Sequence, residues 1–341
     1  MLTFPEFSGI THLRVVDACS LGGTAGRSPG RGNRQGQGRE AQGAGRRAQT
    51  GGMSRVEAQH PSVTLKLSGH LAVIEPDRFT PGSFNLIVDG TPQSHVNVDH
   101  PDELFFEYVQ RIGHVIDLIG EVGEPITAVH LGAGALTLPR YVEATRPGSR
   151  QQVVELESDL IELVRAELPW DKRAQLRVRH GDAREVLGKL PAGLHGAVDL
   201  VVVDIFSGAR TPAHVTSREF YELAAPLLSS RGVVVVNVAD GPGLAFARAQ
   251  AATLSAVFAH VIGLAETQVL KGRRFGNIVF VAAHTPIDLS WVSRLLAGGP
   301  HPSKVVEGAE LRQFMASALV TTDATATPSP LPGRTVFQIG N

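Results

Sequence analysis

Three acidic residues, each placed at the end of a predicted strand, are the side chains best suited to chemistry. Glu155 follows the letters QQVV, Asp182 follows VRHG, and Asp204 follows the largely apolar run VDLVVV. A carboxylate accepts hydrogen bonds from hydroxyl or amine groups, and it can take up a proton during a reaction. Because ligands of open α/β sheets bind beyond the carboxyl ends of the strands, we expect these three acids to lie at one binding site.

A glycine turn precedes the first of these acids. Gly132 and Gly134 separate an apolar run from a segment with helical character, and Glu155 follows Gly134 by about 20 residues, the spacing typical of an acid that binds ribose hydroxyls. Thr137 occupies the position where dinucleotide-binding turns carry a third glycine. The turn therefore favours a single nucleoside with a small charged tail over a dinucleotide. An ordinary βαβ unit with an exposed glutamate is the alternative.

Alternating strands and helices must position these residues. The pattern predicts a small antiparallel sheet of two to four strands within residues 62–98, then a seven-stranded, doubly wound open sheet over 121–285. The strands of the large sheet are expected near 126–131, 152–157, 176–180, 198–203, 232–238, 264–270 and 277–283. Helices are expected near 102–120, 136–144, 158–168, 183–190, 216–228, 244–260, 290–296 and 307–319, with Thr216 as a cap.

The composition predicts a chain of several parts. We expect a disordered N-terminal extension at 1–55, a small β-domain at 60–100, a nucleoside-binding catalytic domain at 101–320 and a loose tail at 321–341. Residues between Leu21 and Gly52 are mostly Gly, Arg, Gln, Ala and Ser. This extension is either a basic arm for an acidic partner, a disordered tail, or upstream sequence, in which case translation starts at Met53.

Charge and cysteine usage exclude several classes of function. The 341 residues carry 32 basic and 33 acidic side chains, so no global field favours nucleic acid or a membrane surface. The single cysteine, Cys19, rules out an internal disulfide framework, and the histidines have no metal-binding spacing. No apolar run approaches the roughly 18 residues of a membrane span. We therefore expect a cytoplasmic protein that uses no metal.

The order of the motifs LGAG, VVELE, GDAREVL and VDLVVVDIFSG resembles the spermidine synthase family, the polyamine aminopropyltransferases. The segments LIVDGTPQSH and DELFFEY are similar to its N-terminal β-domain and the helix after it, so the resemblance covers about residues 62–283. It implies a divergent member with a class I methyltransferase-like Rossmann sheet behind a small antiparallel β-domain. The implied reaction, part of polyamine biosynthesis, transfers an aminopropyl group from decarboxylated S-adenosylmethionine to an amine.

The resemblance also implies roles for individual residues. Asp204 matches the catalytic aspartate, and Glu155 matches the acid that binds ribose. The remaining matches are Gly132 and Gly134 in the glycine loop, Asp182 and Ala183 at the adenine, and Gln93 near the substrate.

Departures from the family pattern affect the amine half of the site. Gly134 and Ser207 replace two aspartates that hold amine groups in the family, and Phe106-Glu107 replaces a Tyr-His or Tyr-Gln pair. The late Pro-Thr-Tyr-Pro segment of the family is the segment from Arg274 to Asn277 here. Glu107, with Glu103, is a candidate substitute for the lost carboxylates. The expected substrate-binding residues are therefore Gln93, Glu107 and Ser207.

Two other functions stay open from the sequence. A methyltransferase that uses S-adenosylmethionine would keep the same fold and ribose acid, and the intact methionine carboxylate fits a loop without an aspartate. A non-catalytic, nucleoside-binding protein is the other alternative. His214 is a candidate second proton acceptor near Asp204. The expected partner is a small-molecule amine, and a homodimer is expected.

Overall fold

The computed structural model describes residues 60–287, 292–297 and 302–332 of the chain. Its helices and strands form a four-stranded sheet followed by an eight-stranded sheet with helices on both faces. The predicted N-terminal extension at 1–55 lies outside the described residues.

The first sheet is antiparallel, with its strands in chain order. The strands are β1 (Ser62–Thr64), β2 (Leu71–Pro76), β3 (Ser83–Val88) and β4 (Thr91–Asn97). Asp89 and Gly90 form the two-residue turn between β3 and β4, and both have positive φ angles, 47° and 76°. Such turns match the twist of paired strands, which explains the Asp-Gly signal in the sequence.

The second sheet is mostly parallel and is built around two central strands. Its strands are β5 (Thr127–Leu131), β6 (Arg150–Glu155), β7 (Gln175–His180), β8 (Val198–Val203), β9 (Leu228–Asp240), β10 (His260–Glu266), β11 (Gly276–Ala283) and β12 (Ser303–Val306). Their order is β12-β10-β11-β9-β8-β5-β6-β7. The chain runs outward from β5 to β7 and then restarts at β8 on the other side of β5. The topological switch point, where such sheets bind ligands, thus lies between β5 and β8.

Nine helices accompany the strands in the part of the chain that the structure describes. They are α1 (Glu107–Asp117), α2 (Thr137–Thr145), α3 (Ser158–Glu167), α4 (Ala183–Leu187), α5 (Arg218–Ala224), α6 (Ala245–Val257), α7 (Thr267–Leu270), α8 (Val292–Ala297) and α9 (Gly308–Met315).

Each face of the large sheet has its own apolar core. Ile112 of α1 and Val142 of α2 pack with Val202 on one face, whereas Phe220 of α5 packs with Val201 on the other. Adjacent valines of β8 thus face opposite cores. This explains why five of the six residues of β8 are apolar, as in a parallel strand covered on both sides.

A third apolar cluster joins the small sheet to the large one. Ile74 and Leu86 of the small sheet pack with Leu136, at the start of α2, and Ile161 of α3. This packing places β4 directly beside the glycine turn.

The predicted class I methyltransferase-like fold, with its small antiparallel sheet, is confirmed, but several bounds differ. An eighth strand, β12, was not predicted, because its four residues carry no apolar run. Helix α1 begins at Glu107 rather than near residue 102. Ser217, not Thr216, caps α5 by accepting a hydrogen bond from the Phe220 N–H at 3.2 Å. Residues 267–270 form α7 instead of continuing β10.

Residues 321–332 also differ from the loose tail predicted at 321–341. Asp323 receives two hydrogen bonds from the Arg184 guanidinium, both at 2.6 Å. Ser329 is fully buried and exchanges backbone and side-chain hydrogen bonds with Thr211. We call residues 321–332 the C-terminal strap. Its Thr- and Pro-rich composition predicted a loose segment, because composition does not show hydrogen-bond partners that are distant in the sequence.

Membrane spans were sought in the helices of the described ranges. None of these helices has both the length and the apolar character that crossing a bilayer requires.

Candidate active site

A cavity lies at the switch point of the large sheet. Its walls are the glycine turn after β5, the carboxyl ends of β6, β7 and β8, the start of α1, and β4 of the small sheet. Predicted site residues that line it are Gln93, Gly132, Gly134, Glu155, Asp182, Ala183, Asp204 and Ser207. The structure thus brings together the residues that the sequence analysis selected, with one exception, Glu107.

The glycine turn approaches the neighbouring strand closely. Gly132 has a φ of 93°, and a Cβ atom there would collide with the carbonyl oxygen of Asp204. Only glycine combines this left-handed conformation with such a close approach. The turn therefore holds the end of β8 against β5 and leaves its backbone open to a ligand.

Glu155 is fixed by backbone donors at the end of β6. Its carboxylate accepts the Ala133 N–H at 2.9 Å and the Glu157 N–H at 3.1 Å. Burial raises the pKa of Glu155, and these hydrogen bonds oppose the increase. A carboxylate has about four lone-pair sites, so the two that remain can accept ribose hydroxyls.

Asp182 begins α4 and has a second partner across the cavity. One carboxylate oxygen accepts the N–H groups of Arg184 and Glu185, and the other lies 2.6 Å from His214 Nε2. Burial raises the pKa of Asp182, but the bonds from Glu185 and His214 outweigh it and lower that pKa overall. His214, a candidate second proton acceptor in the sequence, pairs its ring with Asp182 rather than with Asp204.

Asp204 is held from two sides. Its Oδ1 atom accepts a hydrogen bond from Asn237 Nδ2 at 2.8 Å, and its Oδ2 atom accepts one from the Tyr108 hydroxyl at 3.3 Å. Asn277 Nδ2 donates in turn to Asn237 Oδ1 at 3.0 Å. Burial raises the pKa of Asp204 above its usual value, although both hydrogen bonds lower it.

Sequence reasoning missed these partners of Asp204. Asn237 is a polar residue inside the run VVVVNV, a signal of a buried role in an otherwise apolar strand. Tyr108 lies in the aromatic segment FFEY, but the expected pair was placed at Phe106-Glu107 instead.

Ser94 fills the space that a side chain at position 134 would occupy. Its hydroxyl accepts the Ala135 N–H at 3.1 Å, and a Cβ atom on Gly134 would collide with this oxygen. Ser94 lies in β4, and nothing in the sequence pattern pointed to it. The glycine at 134 and the serine at 94 therefore form one packed unit.

The remaining predicted substrate residues separate into two groups. Gln93 donates to the Gly208 carbonyl at 3.2 Å, which connects β4 to the loop carrying Ser207, and both side chains line the cavity. Glu107 does not line it. Glu107 instead pairs with Arg111 at 3.1 Å and Arg274 at 3.6 Å, so this geometry gives no support to its predicted role as a substitute carboxylate.

The cavity is strongly acidic. Four carboxyl-bearing residues line it, whereas no lysine or arginine is found among its described lining residues. The acids are Glu155, Glu157, Asp182 and Asp204. A cavity lined by four acids favours a cationic ligand and offers no lysine or arginine to a carboxylate. Within the described ranges, no group of three or more His, Cys, Asp or Glu side chains could hold a metal ion.

Comparisons with known proteins agree with the fold and with the resemblance found in the sequence. A polyamine aminopropyltransferase of Vibrio vulnificus is 31% identical over 135 residues, which cover 39% of this chain and 44% of that protein. The chain spans about half the length of the curated relatives it matches. No family model matches the chain.

Solved structures extend the similarity. A probable spermidine synthase from Corynebacterium glutamicum is 28% identical with a TM-score of 0.70, over 77% of this chain and 96% of that one. A spermidine synthase solved with the transition-state analogue AdoDATO matches with a TM-score of 0.50 at 15% identity, over 70% of this chain and 80% of that one; this likeness concerns the fold alone. The resemblance to spermidine synthases is thus confirmed, and the chain is a divergent, spermidine synthase-like one.

Proposed function

We propose that the chain is a transferase that moves an aminopropyl group from decarboxylated S-adenosylmethionine to a small amine. The acidic cavity at the switch point carries this proposal, since four acids and no described lysine or arginine line it. Decarboxylated S-adenosylmethionine is a sulfonium with an ammonium tail, and its acceptor is an amine. All of these groups are cationic or become so, and they suit an acidic cavity.

In this proposal the nucleoside half of the substrate lies against the glycine turn. Glu155 accepts the ribose hydroxyls with its two remaining lone-pair sites. Gly132 and Gly134 leave room for the nucleoside, while Asp182 and Ala183 lie at the adenine edge. The second oxygen of Asp182 pairs with the His214 ring, and its remaining lone-pair site can accept the adenine amine.

The proposed chemical step is a displacement at the carbon next to the sulfonium. The nitrogen lone pair of the acceptor forms the new C–N bond while the C–S bond breaks. The sulfur keeps the electron pair of that bond, and methylthioadenosine leaves. An alkyl amine has a pKa of about 10, so it must lose a proton to become a nucleophile. Asp204 takes that proton, and Tyr108 and Asn237 hold its carboxylate in place.

The acceptor is proposed to differ from a simple diamine. Gly134 and Ser207 supply no carboxylate where the family has two, and Glu107 is paired with arginines outside the cavity. Burying an ammonium without a charged partner is costly. We therefore expect poor turnover with putrescine and better turnover with a larger or differently charged amine.

Methyl transfer from intact S-adenosylmethionine is the second candidate. The Ser94 hydroxyl beside Gly134 favours it, because a neutral hydroxyl can donate a hydrogen bond to a methionine carboxylate, whereas an aspartate would repel it. The absence of lysine and arginine from the described lining argues in the other direction.

Two parallel product assays test the proposal. One measures release of methylthioadenosine from decarboxylated S-adenosylmethionine with a panel of amines, and the other measures release of S-adenosylhomocysteine from S-adenosylmethionine. Asp204→Asn keeps the shape of the side chain and removes the base. It should lower amine transfer by about 10²–10⁴ and leave methylthioadenosine binding nearly unchanged.

The outcomes separate the candidate functions. S-adenosylhomocysteine release alone would identify a methyltransferase. No product in either assay, together with nucleoside binding, would favour the non-catalytic alternative. Robust turnover of putrescine would contradict the expectation drawn from Gly134 and Ser207.

A further inference from the structure

A band of polar side chains crosses the α1-facing side of the large sheet. It runs through Gln151 on β6, His130 on β5, Asp204 after β8, Asn237 on β9 and Asn277 on β11. In the strand register His130 lies opposite Val202, so Asp204 is two positions further along the same face. The band therefore passes through the chemical centre of the proposed site.

Hydrogen bonds within the band define the state of the His130 ring. Gln151 Nε2 donates to the Pro139 carbonyl at 3.0 Å, which turns Gln151 Oε1 toward His130 Nε2 at 2.9 Å. Since Oε1 is an acceptor, Nε2 of His130 must carry the hydrogen. The other ring nitrogen, Nδ1, then presents an unprotonated lone pair. Burial lowers the pKa of His130 to about 4, so the ring is neutral at physiological pH.

That lone pair has no partner among the described residues. His130 is only 1% exposed, yet it is one of the residues that line the cavity, and its Nδ1 atom is buried without a hydrogen bond. Buried acceptors are nearly always paired in native proteins, by protein, water or ligand. An unpaired acceptor at a cavity wall thus points to a donor on a ligand.

We infer that Nδ1 of His130 accepts a hydrogen bond from an amine N–H group of the substrates, either the aminopropyl amine or the acceptor amine. The inference rests on the proposed function and adds a substrate-binding residue to it. A neutral imidazole lone pair binds a donor and disfavours a carboxylate at the same place. His130 thereby supplies one acceptor to a site that has lost the aspartates expected at 134 and 207.

Titration calorimetry with three probes tests the inference. Methylthioadenosine has no amine tail, decarboxylated S-adenosylmethionine has one, and putrescine added to the methylthioadenosine complex reports the acceptor position. His130→Phe keeps a ring of similar size and removes the acceptor. It should leave methylthioadenosine affinity within about twofold and weaken one of the two amine probes roughly tenfold or more. The probe that weakens identifies which amine His130 binds.

A matched control is provided by His114 of α1. His114 is a half-buried histidine that also has an unpartnered Nδ1, and burial lowers its pKa to about 4 as well, but it does not line the cavity. His114→Phe should change none of the three affinities. His130→Gln retains a carbonyl acceptor and should recover part of the loss. Equal weakening of all probes by His130→Phe, or no weakening of either amine probe, would overturn the inference.

A spectroscopic measurement on the unmodified chain covers the case in which His130→Phe fails to fold. The ¹⁵N resonance of the unprotonated ring nitrogen should shift when an amine probe binds and stay in place with methylthioadenosine alone. No shift with an amine probe that binds would refute the inference while the proposed function stands. If the unmodified chain binds methylthioadenosine but neither amine, the proposed function fails and the inference fails with it.

Discussion

The carboxyl group of Glu155 has both a structural and a proposed binding role. It ties the glycine turn to the end of β6 through Ala133 and stabilises the next turn through Glu157. Glu157 in turn accepts the N–H groups of Leu67 and Ser68 from the small sheet. One buried pair of acids thus connects the proposed ribose site with both sheets.

Replacement of Glu155 should weaken nucleoside binding. Hydrogen bonds to a charged group contribute about 1.5–3 kcal/mol each, so Glu155→Ala should reduce methylthioadenosine affinity at least tenfold in titration calorimetry. Glu155→Gln keeps the shape of the side chain and one acceptor oxygen. Its methylthioadenosine affinity should therefore fall between those of the unmodified chain and Glu155→Ala. Unchanged affinity in both variants, with intact folding, would remove Glu155 from the binding site.

At the scale of elements, the contact between β4 and the glycine turn determines what the turn can carry. The Ser94 hydroxyl occupies the position of a side chain at Gly134, where φ is 50°. Aspartate tolerates this left-handed backbone better than most residues. The obstacle to an aspartate at 134 is therefore the serine oxygen rather than the backbone.

Gly134→Asp should leave the fold stable only when it is combined with Ser94→Ala. The single change overpacks the contact and should destabilise the fold by about 1–3 kcal/mol. The double change restores a carboxylate and should raise the affinity for decarboxylated S-adenosylmethionine, relative to S-adenosylmethionine, about tenfold. Calorimetry on both variants and on Ser94→Ala measures this ratio. A ratio that does not change in the double variant would show that residue 134 does not face the ligand tail.

The C-terminal strap fastens the loop on the other side of the cavity. Arg184, two residues after Asp182, donates to Asp323 and also to the His214 carbonyl at 3.0 Å. Ser217, the cap of α5, donates to the same carboxylate at 2.5 Å. Asp323 thus holds the segment 205–217 in place at the proposed adenine side of the cavity.

Asp323→Ala should loosen that segment. A bidentate pair of this exposure contributes on the order of 1 kcal/mol, equivalent to a fall of about 2–4 °C in Tm. Amide hydrogen exchange in 205–217 should accelerate, and methylthioadenosine should bind a few-fold more weakly. Asp171→Ala is the matched control. Asp171 pairs with Arg173, which is only two residues away and whose side chain is 91% exposed. If Asp323→Ala and Asp171→Ala change the Tm, the hydrogen exchange and the binding equally, the strap has no specific role in holding this segment.

The elements that sequence patterns predicted are those whose signal is local. Strand β8 is buried on both faces, so its apolar run and the position of Asp204 were readable directly. Ser94 was not predicted, since its contact with Gly134 depends on how two sheets pack. The strap was not predicted because its stability comes from Arg184, far away in the chain, rather than from its own composition. Tyr108 was missed by two positions on α1.

At the scale of the whole molecule, charge is distributed unevenly. The net charge is only −1, yet four acids face the described cavity without a lysine or arginine. Local concentration of one sign focuses the field on the cavity and attracts cations there. The overall balance in the sequence thus concealed the property of the molecule that bears most on its proposed substrate.

The two ends of the chain should contribute differently to stability. Among the described residues, the three apolar clusters are formed from Val63 onward, and the sequence from Leu21 to Gly52 has too few apolar residues to add a core. A chain that starts at Met53 should therefore keep its Tm within about 2 °C, which corresponds to less than about 1 kcal/mol.

A chain that ends at Val320 should lower the Tm by more than that. It loses the buried Ser329 and the Asp323 pair, although it removes far fewer residues. Thermal unfolding and methylthioadenosine titration of both truncated chains measure the contrast. If the N-terminal deletion is the more damaging one, the first residues have a structural role that composition does not reveal. If neither truncation changes the Tm, the hydrogen bonds of the strap contribute nothing to the free energy of unfolding.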